Sequence, residues 1–434
     1  MPLPLFSLML CVFGVGTAEL VVAGILPAVA GDLDVSLADA SLLVTAYALG
    51  VVIAGPVVTL AGSRVPRKPL LLGLMTLFVV SNALAALAPG YGVLMTARVL
   101  SALTHCTLFA VCIVVASGMA APGKEASAVS KVAVGLNLAT VLGVPLGVLT
   151  EQHLGWRAAF WGIAGLSLVA LLLVASLLPA DAARAEGGAA AELRVLRGPR
   201  VRLAILITAL AMAGVFTAYT FVTPILTDLG GFAPSTVSWL LLLIGGGSLV
   251  GNLIGGRLAD RALMPSLVGV LAVLGADLVL MALGARVPWL VIVLLVVFGA
   301  AYFAVMPALQ ARILTSAGDG APTLAVAVNI GAFNLGIAFG AWFGGRLLGL
   351  GLGLRVVITA AALFSWAAML LAVRELSVDR RAEGSAPSGA ATADPVTSSE
   401  TPRVKSSEPS RQPVPSDATA ASDSGGRLPL ERNR

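Results

Sequence analysis

Glu19, Arg98 and Asp277 each fall inside a long apolar run, where a charge is costly. An ionisable side chain at the centre of a lipid-spanning helix costs roughly 2.5–3.5 kcal/mol, so its retention points to a use. At 1.5 Å per residue, Glu19 lies about 12 Å below the outer end of its helix and Arg98 about 10 Å below the outer end of its own. Equal depth lets the two meet if their helices adjoin. A carboxyl group beside a guanidinium can bind and release a proton, because desolvation favours its neutral form and a cation its ionised form. His105 follows Arg98 by seven positions and shares its helix face. There a packed neutral histidine outweighs a proton relay.

Other chemistries find little support. Cys11, Cys106 and Cys112 sit in apolar runs without C-x-x-C spacing, and His105 and His153 are too few for a metal site. The chain has no Walker loop, no G-x-S-x-G elbow and no paired soluble carboxylates. The expectation is therefore neither an enzyme nor an ATP-driven pump. No cofactor is expected, and any uphill work must draw on an ion gradient.

The elements that hold these groups are membrane helices. Hydrophobic residues make up 58% of the 434 residues and charged residues 11%, and mean hydropathy is +0.98. Soluble domains are roughly 45–50% apolar and about 25% charged. Apolar runs long enough to span lipid lie near 5–27, 41–62, 69–89, 92–117, 128–150, 158–179, 203–226, 236–256, 266–285, 288–311, 323–348 and 355–373. The first has no basic leader and is too long for a signal-peptide core, so it is expected to remain as the first helix.

These twelve runs repeat. Displacing the chain by 197 residues carries Asp260-Arg261 of Gly256-Arg257-Leu258-Ala259-Asp260-Arg261 onto Ser63-Arg64, just before Arg67-Lys68. The same displacement carries Asn334, Gly340 and Gly344 onto Asn137, Gly143 and Gly147, and Pro224 onto Pro27. Separate motifs sharing one offset indicate a duplicated unit of about two hundred residues. The predicted organisation is a six-helix bundle over 1–179, a linker over 180–202, a second bundle over 203–375 and a disordered cytoplasmic tail over 376–434.

Basic residues fix an expected orientation. With the N-terminus cytoplasmic, Arg64, Arg67, Lys68, Arg257, Arg261, Arg312 and Arg374 all fall on the inner side, whereas Arg157, Arg286, Arg346 and Arg355 are the basic residues outside. Both termini are then cytoplasmic. The pI near 9.4 reflects this asymmetry, so no nucleic-acid partner is expected.

With these features assembled, the chain resembles the major facilitator superfamily. Gly256 to Arg261, and its worn copy ending in Arg64, Arg67 and Lys68, match the family's G-x-L-A-D-R-x-G-R-R loop, although Thr59 and Ser63 stand where Gly and Asp are usual. The resemblance implies a gate loop whose second copy, through Asp260, carries most of the contact between the halves. Gly135, Gly143, Pro145 and Gly147 resemble the antiporter motif of helix five; glycines four apart would give a smooth face for packing between the halves, and Pro145 a bend. Met1 to Leu5, Gly16 to Glu19, Gly24 to Pro27 and Gly155-Trp156-Arg157-Ala158-Ala159-Phe160-Trp161 are similar to the drug/proton antiporter branch, chloramphenicol exporters of actinomycete type above all.

That resemblance implies an all-α membrane protein, with twelve transmembrane helices in two pseudo-symmetric six-helix bundles. It further implies a monomer in the bacterial inner membrane, whose partners are a small-molecule substrate, protons and lipid. Glu19 takes the place of the branch's helix-one acid and Arg98 that of the helix-four arginine. Tyr47, Asn137, Tyr219 and Asn334 are candidate cavity-lining groups, the two asparagines doubling as helix–helix contacts. Asp277 falls on helix nine, outside the cavity in this fold, and a structural hydrogen bond is expected there. The expected activity is proton-coupled efflux of a small uncharged amphiphilic drug such as chloramphenicol. The alternatives are a sugar or metabolite exporter and, in another class, a non-transporting sensor or scaffold.

Overall fold

The computed structural model describes residues 1–62, 65–121, 124–178, 198–317 and 322–384. The described chain is almost wholly helical, in chain order α1 (Leu3–Asp32), α2 (Leu37–Gly62), α3 (Arg67–Ala86), α4 (Tyr91–Gly118), α5 (Glu125–Leu138, with continuations described below), α6 (Trp156–Leu177), α7 (Pro199–Tyr219), α8 (Val237–Arg261), α9 (Leu263–Gly284), α10 (Pro288–Ala317), α11 (Pro322–Gly349) and α12 (Gly353–Gly384). Each expected span coincides with one of these helices. By length and apolarity alone, 11 of them qualify as membrane spans among the described residues. The predicted linker lies almost entirely outside the described residues, as does 385–434. Helix α12 runs on to Gly384, past the point at 376 where the sequence suggested a tail.

Local chemistry sets the boundaries. Ser36 caps α2 by accepting from the Asp39 amide (3.0 Å) while its hydroxyl donates to the Asp39 carboxylate (2.6 Å). Proline opens α7 and α10, where its missing N–H costs nothing. Gly155 separates α5 from α6 at φ 82°, a conformation that favours glycine. Within the fifth span, α5 passes through a π turn at Ala139–Gly143 into a final helical stretch, Val144–Leu154. Pro145 explains it. Its ring nitrogen has no hydrogen to give the Val141 carbonyl, so the ladder widens there. A similar π turn, Ile225–Leu229, follows Pro224 beyond α7.

The glycines of the fifth span zip it to α1, within the same half. A methyl group on Gly135 would strike the Met9 carbonyl and stand 2.9 Å from the Phe13 nitrogen; one on Gly143 would strike Thr17 and one on Gly147 Val21. This corrects the expectation that they pack between halves. The repeat does the same in the second half, where Gly336 and Gly340 of α11 press on Ala209 and Ala213 of α7. The close crossing between halves is made by Gly245 of α8, where a methyl would stand 2.6 Å from Val141 Cα in the π turn. Small residues there let backbones approach, which is how helices associate where water supplies no drive.

Several further contacts join the halves at the end bearing the α1–α2 loop. Thr223 donates to the Gly24 carbonyl (2.6 Å) and Gln152 to that of Pro234 (2.6 Å). Gly345 of α11 fits against Ser41 and Ala38 of α2. At the same end Arg157 spans Asp32 (2.5 Å) and the Ala88 carbonyl (3.0 Å), Trp156 adds a bond to Asp32 (3.1 Å), and the guanidinium lies 4.3 Å over the indole. The Gly155-Trp156-Arg157 motif thus ties α6 to the ends of α1 and α3.

Candidate functional site

Glu19 and Arg98 lie with Tyr47 and His105 among α1, α2 and α4. Arg98 is 1% exposed. Its Nη1 donates to the Ala18 carbonyl at 2.7 Å, and its guanidinium lies 4.1 Å over the Tyr47 ring. A desolvated cation–π contact of this kind is worth about 2 kcal/mol. The Tyr47 hydroxyl in turn meets His105 Nδ1 at 3.0 Å, with the rings edge to face. Tyr47 and Arg98 are fully buried and His105 nearly so. Glu19 is half-buried and lies within electrostatic reach of Tyr47, Arg98, His105 and, from the second half, Tyr302.

The contact that equal depth permits between Glu19 and Arg98 is not an ion pair here: among the described residues none joins them. Arg98 takes the carbonyl next to Glu19 instead, and its Nε and Nη2 find no partner there. Nε and Nη2 thus remain unpartnered donors within electrostatic reach of Glu19. A buried, half-satisfied guanidinium is expensive.

The other candidates divide. Tyr219 is 2% exposed within an aromatic group of α7 and α10. Asn334 is buried and donates to the Ile330 carbonyl of its own helix, so it is not a bridge between helices. Asn137 is half-buried. Asp277 is 2% exposed, and neither carboxyl oxygen has a partner among the described residues. The hydrogen bond expected of it is therefore not made.

At the end opposite the closed one, Lys68 donates to the Leu178 carbonyl (2.5 Å), closing α3 onto α6, and Arg67 is half-buried. Arg64 and Ser63 lie outside the described residues. Asp260 and Arg261 are exposed, and no hydrogen bond or ion pair is made by Asp260 among the described residues. Gly256 likewise has open space around it. The gate contact expected of Asp260 is thus not engaged in this conformation, in which the halves meet at the other end. Sequence reasoning missed Arg312 on α10 and Glu375 on α12, which form an ion pair buried to 11% and 6% side-chain exposure.

A groove of about 590 Å³ lies elsewhere. Gly251, Leu258, Pro265, Val273, Ala300 and Ala304 contribute to its lining, which includes no ionisable residue. It carries none of the chemistry above.

Two six-helix halves meet at the end bearing the α1–α2 loop, and the first of them holds a buried polar cluster. Residues 8–322 match the family described as Major Facilitator Superfamily. The chain belongs to the major facilitator superfamily. Relatives of that superfamily include the inner membrane transport protein YdhP of Escherichia coli (strain K12), 39% identical over 85% of this chain and 94% of the relative. A chloramphenicol resistance protein of Streptomyces lividans is 36% identical over 86% and 96%. Among solved structures, a bacterial homolog to the human lysosomal transporter Spinster, inward-facing and unoccupied, superposes with TM-score 0.71 at 15% identity, covering 85% of this chain and 95% of that one. As a major facilitator protein the chain is a multi-pass membrane transporter of the bacterial inner membrane that binds a small-molecule substrate. Its relatives are transporters, not enzymes.

Proposed function

We propose that the protein exports a small, uncharged, amphiphilic drug, chloramphenicol or a related antibiotic, in exchange for protons. The observation that carries the proposal is the placement of Glu19 beside an incompletely satisfied Arg98, with Tyr47 and His105 completing the cluster. Such a cluster is expensive in a membrane protein that only senses or scaffolds. The chloramphenicol resistance relative supports the substrate class. No resident cofactor enters this reading; the proton gradient supplies the energy.

The cycle is alternating access, with the two halves rocking about a site near the midplane. The N-terminus, the gate loops and the C-terminus face the cytoplasm in this proposal, so the described conformation is closed outside. With the outside open, Glu19 binds a proton and Arg98 stays on Ala18 and Tyr47. The described conformation, closed outside with Arg98 still on the Ala18 carbonyl and the Tyr47 ring, stands before proton release; Glu19 then releases its proton to the inside, and the free N–H groups of Arg98 turn to the carboxylate. A gradient drives transport only if the two states bind protons with different affinity, and movement of Arg98 supplies that difference. Asp260 and Arg261 engage when the inner side closes.

Chloramphenicol accumulation in cells with and without the protein tests this. The expected result is lower accumulation with the protein, abolished by a protonophore. Equal accumulation in both strains contradicts the substrate assignment, and protonophore-insensitive efflux contradicts the coupling.

A further inference from the structure

The groove between α8, α9 and α10 has a shape that its glycines explain. Gly251 and Gly255 of α8 lie backbone to backbone with Ala300 and Ala304 of α10, whereas a methyl group on Gly269 of α9 would meet nothing. Two helices touch while α9 stands off from α8, and the gap is the groove of about 590 Å³. Helix α9 packs chiefly on α10, with α8 and α7, all in the second half. Its free side therefore meets lipid, and the rim residues Ile254, Leu258 and Val273 are exposed there.

The charge at one end is as specific as the shape. Along α8 the lining reads Gly251, Ile254 and Leu258, spacings that keep to one helix face. Three residues on, the same face carries Arg261, exposed and without an ion pair among the described residues. Arg257, also exposed, lies one turn before it. Asp260 is two residues past Leu258, about 200° around the helix, and so points to the far side. The groove is apolar along its length and basic at its mouth.

We propose that this groove holds an acyl chain of an anionic phospholipid whose phosphate rests on Arg261, with Arg257 beside it. The proposal depends on the membrane location alone, not on proton coupling or on the transported substrate. Ser266 also lines the mouth, but its hydroxyl already donates to the Leu258 carbonyl (2.7 Å), which leaves the guanidinium as the donor. Each buried methylene strengthens the hold on an acyl chain, and each base near the surface the hold on an anionic headgroup. Size excludes a helix of a second copy. Gly251 to Leu258 rises about 10 Å at 1.5 Å per residue, so the volume spread over that length leaves a section of about 60 Å². A helix with its side chains is about 10–12 Å across, hence about 80 Å² or more in section; a hydrocarbon chain is far narrower. The competing occupant is an amphiphile with an ammonium head, drawn to Asp277 one turn beyond Val273. Asp277 is 2% exposed and closed off from the groove, whereas Arg261 is open at its mouth. Charge therefore favours the anion.

The test uses the full-length protein in phosphatidylcholine vesicles containing a trace of phosphatidylglycerol with a diazirine on its acyl chain. After photolysis, label is expected to concentrate on the groove stretches 251–258, 265–273 and 296–304. A small addition of unlabelled phosphatidylglycerol is expected to displace it, and an equal addition of phosphatidylcholine to leave it. Arg261→Gln is expected to weaken that competition about fivefold, the loss of one base at the membrane surface. Gly269→Leu, which fills open space on α9, is expected to remove the groove label. Label spread evenly over the lipid-facing helices, or equal competition by phosphatidylcholine, overturns the proposal. So does undiminished competition in Arg261→Gln, or groove label that survives Gly269→Leu. Stronger displacement by hexadecyltrimethylammonium than by phosphatidylglycerol also overturns it and assigns the groove to a cation at Asp277. Should Gly269→Leu not fold, the wild-type labelling and Arg261→Gln, a change to an exposed side chain, decide.

Discussion

The first half packs an arginine, a tyrosine and a histidine around an acid, where the second half packs rings and aliphatic side chains at the mapped positions. Both halves fold alike, and the glycine contacts that zip α5 to α1 recur between α11 and α7. Duplication preserved the scaffold while the cluster positions diverged. Packing therefore needs the glycines in both copies but the charges in only one. The gate ends differ too. In the first half Lys68 closes onto the Leu178 carbonyl; in the second, the position mapped from Leu178 is Glu375, paired with Arg312 of α10.

Exchanging mapped residues tests this division most severely. Arg98→Leu installs the second-half residue in the first half and is expected to abolish gradient-driven uptake, a loss of at least a hundredfold, with the protein still inserted. Retained uptake above a tenth of wild type would mean that the cluster is structural. Next in size, Glu375→Gln removes the acid that faces buried Arg312 and should destabilise the protein by up to about 3–5 kcal/mol, read as a fall in melting temperature in detergent. The double replacement Arg312→Met with Glu375→Leu should recover most of that loss, and failure to recover would mean that the pair does more than neutralise itself. The smallest of these effects is expected from Tyr47→Phe. It keeps the ring beneath Arg98 but strips His105 Nδ1 of its partner, at about 1–3 kcal/mol. Uptake severalfold slower with the substrate affinity unchanged is the expected outcome; wild-type rates would remove the Tyr47–His105 pair from the account.

Much of the fold was legible because hydropathy and the 197-residue repeat are properties of the chain itself. The spans followed from apolar runs such as 5–27, and the duplicated unit from motifs sharing one offset. Glu19 and Arg98 stood out because charge in an apolar run is costly wherever it ends up. What the sequence concealed was direction. Gly143 can face α1 or the opposite half with the same spacing, and only packing shows that it meets Thr17. Tyr47 and His105 are 58 residues apart, with nothing local to announce their bond. Glu375 could have been found: Ala368, Ala372 and Glu375 follow helical spacing, and both alanines are wholly buried. Its place just beyond the apolar run 355–373 hides its ion pair. The offset also sets Phe216 on Glu19 and Tyr302 on His105, a divergence that shared glycines, prolines and asparagines do not reveal.

The central claim is that the polar half handles protons through Glu19. The direct measurement is chloramphenicol uptake into inverted membrane vesicles under an imposed pH gradient, comparing wild type with Glu19→Gln at matched expression. Glutamine fixes the side chain in a form that resembles the protonated acid and cannot titrate, so the proton affinities of the two states no longer differ at this position. Apolar contacts supply most of the affinity for an uncharged ligand, so binding should persist. The account predicts that the variant binds chloramphenicol within about threefold of wild type while the gradient drives no accumulation. Undiminished gradient-driven uptake by Glu19→Gln would contradict it and move the proton site to the unpartnered carboxyl of Asp277.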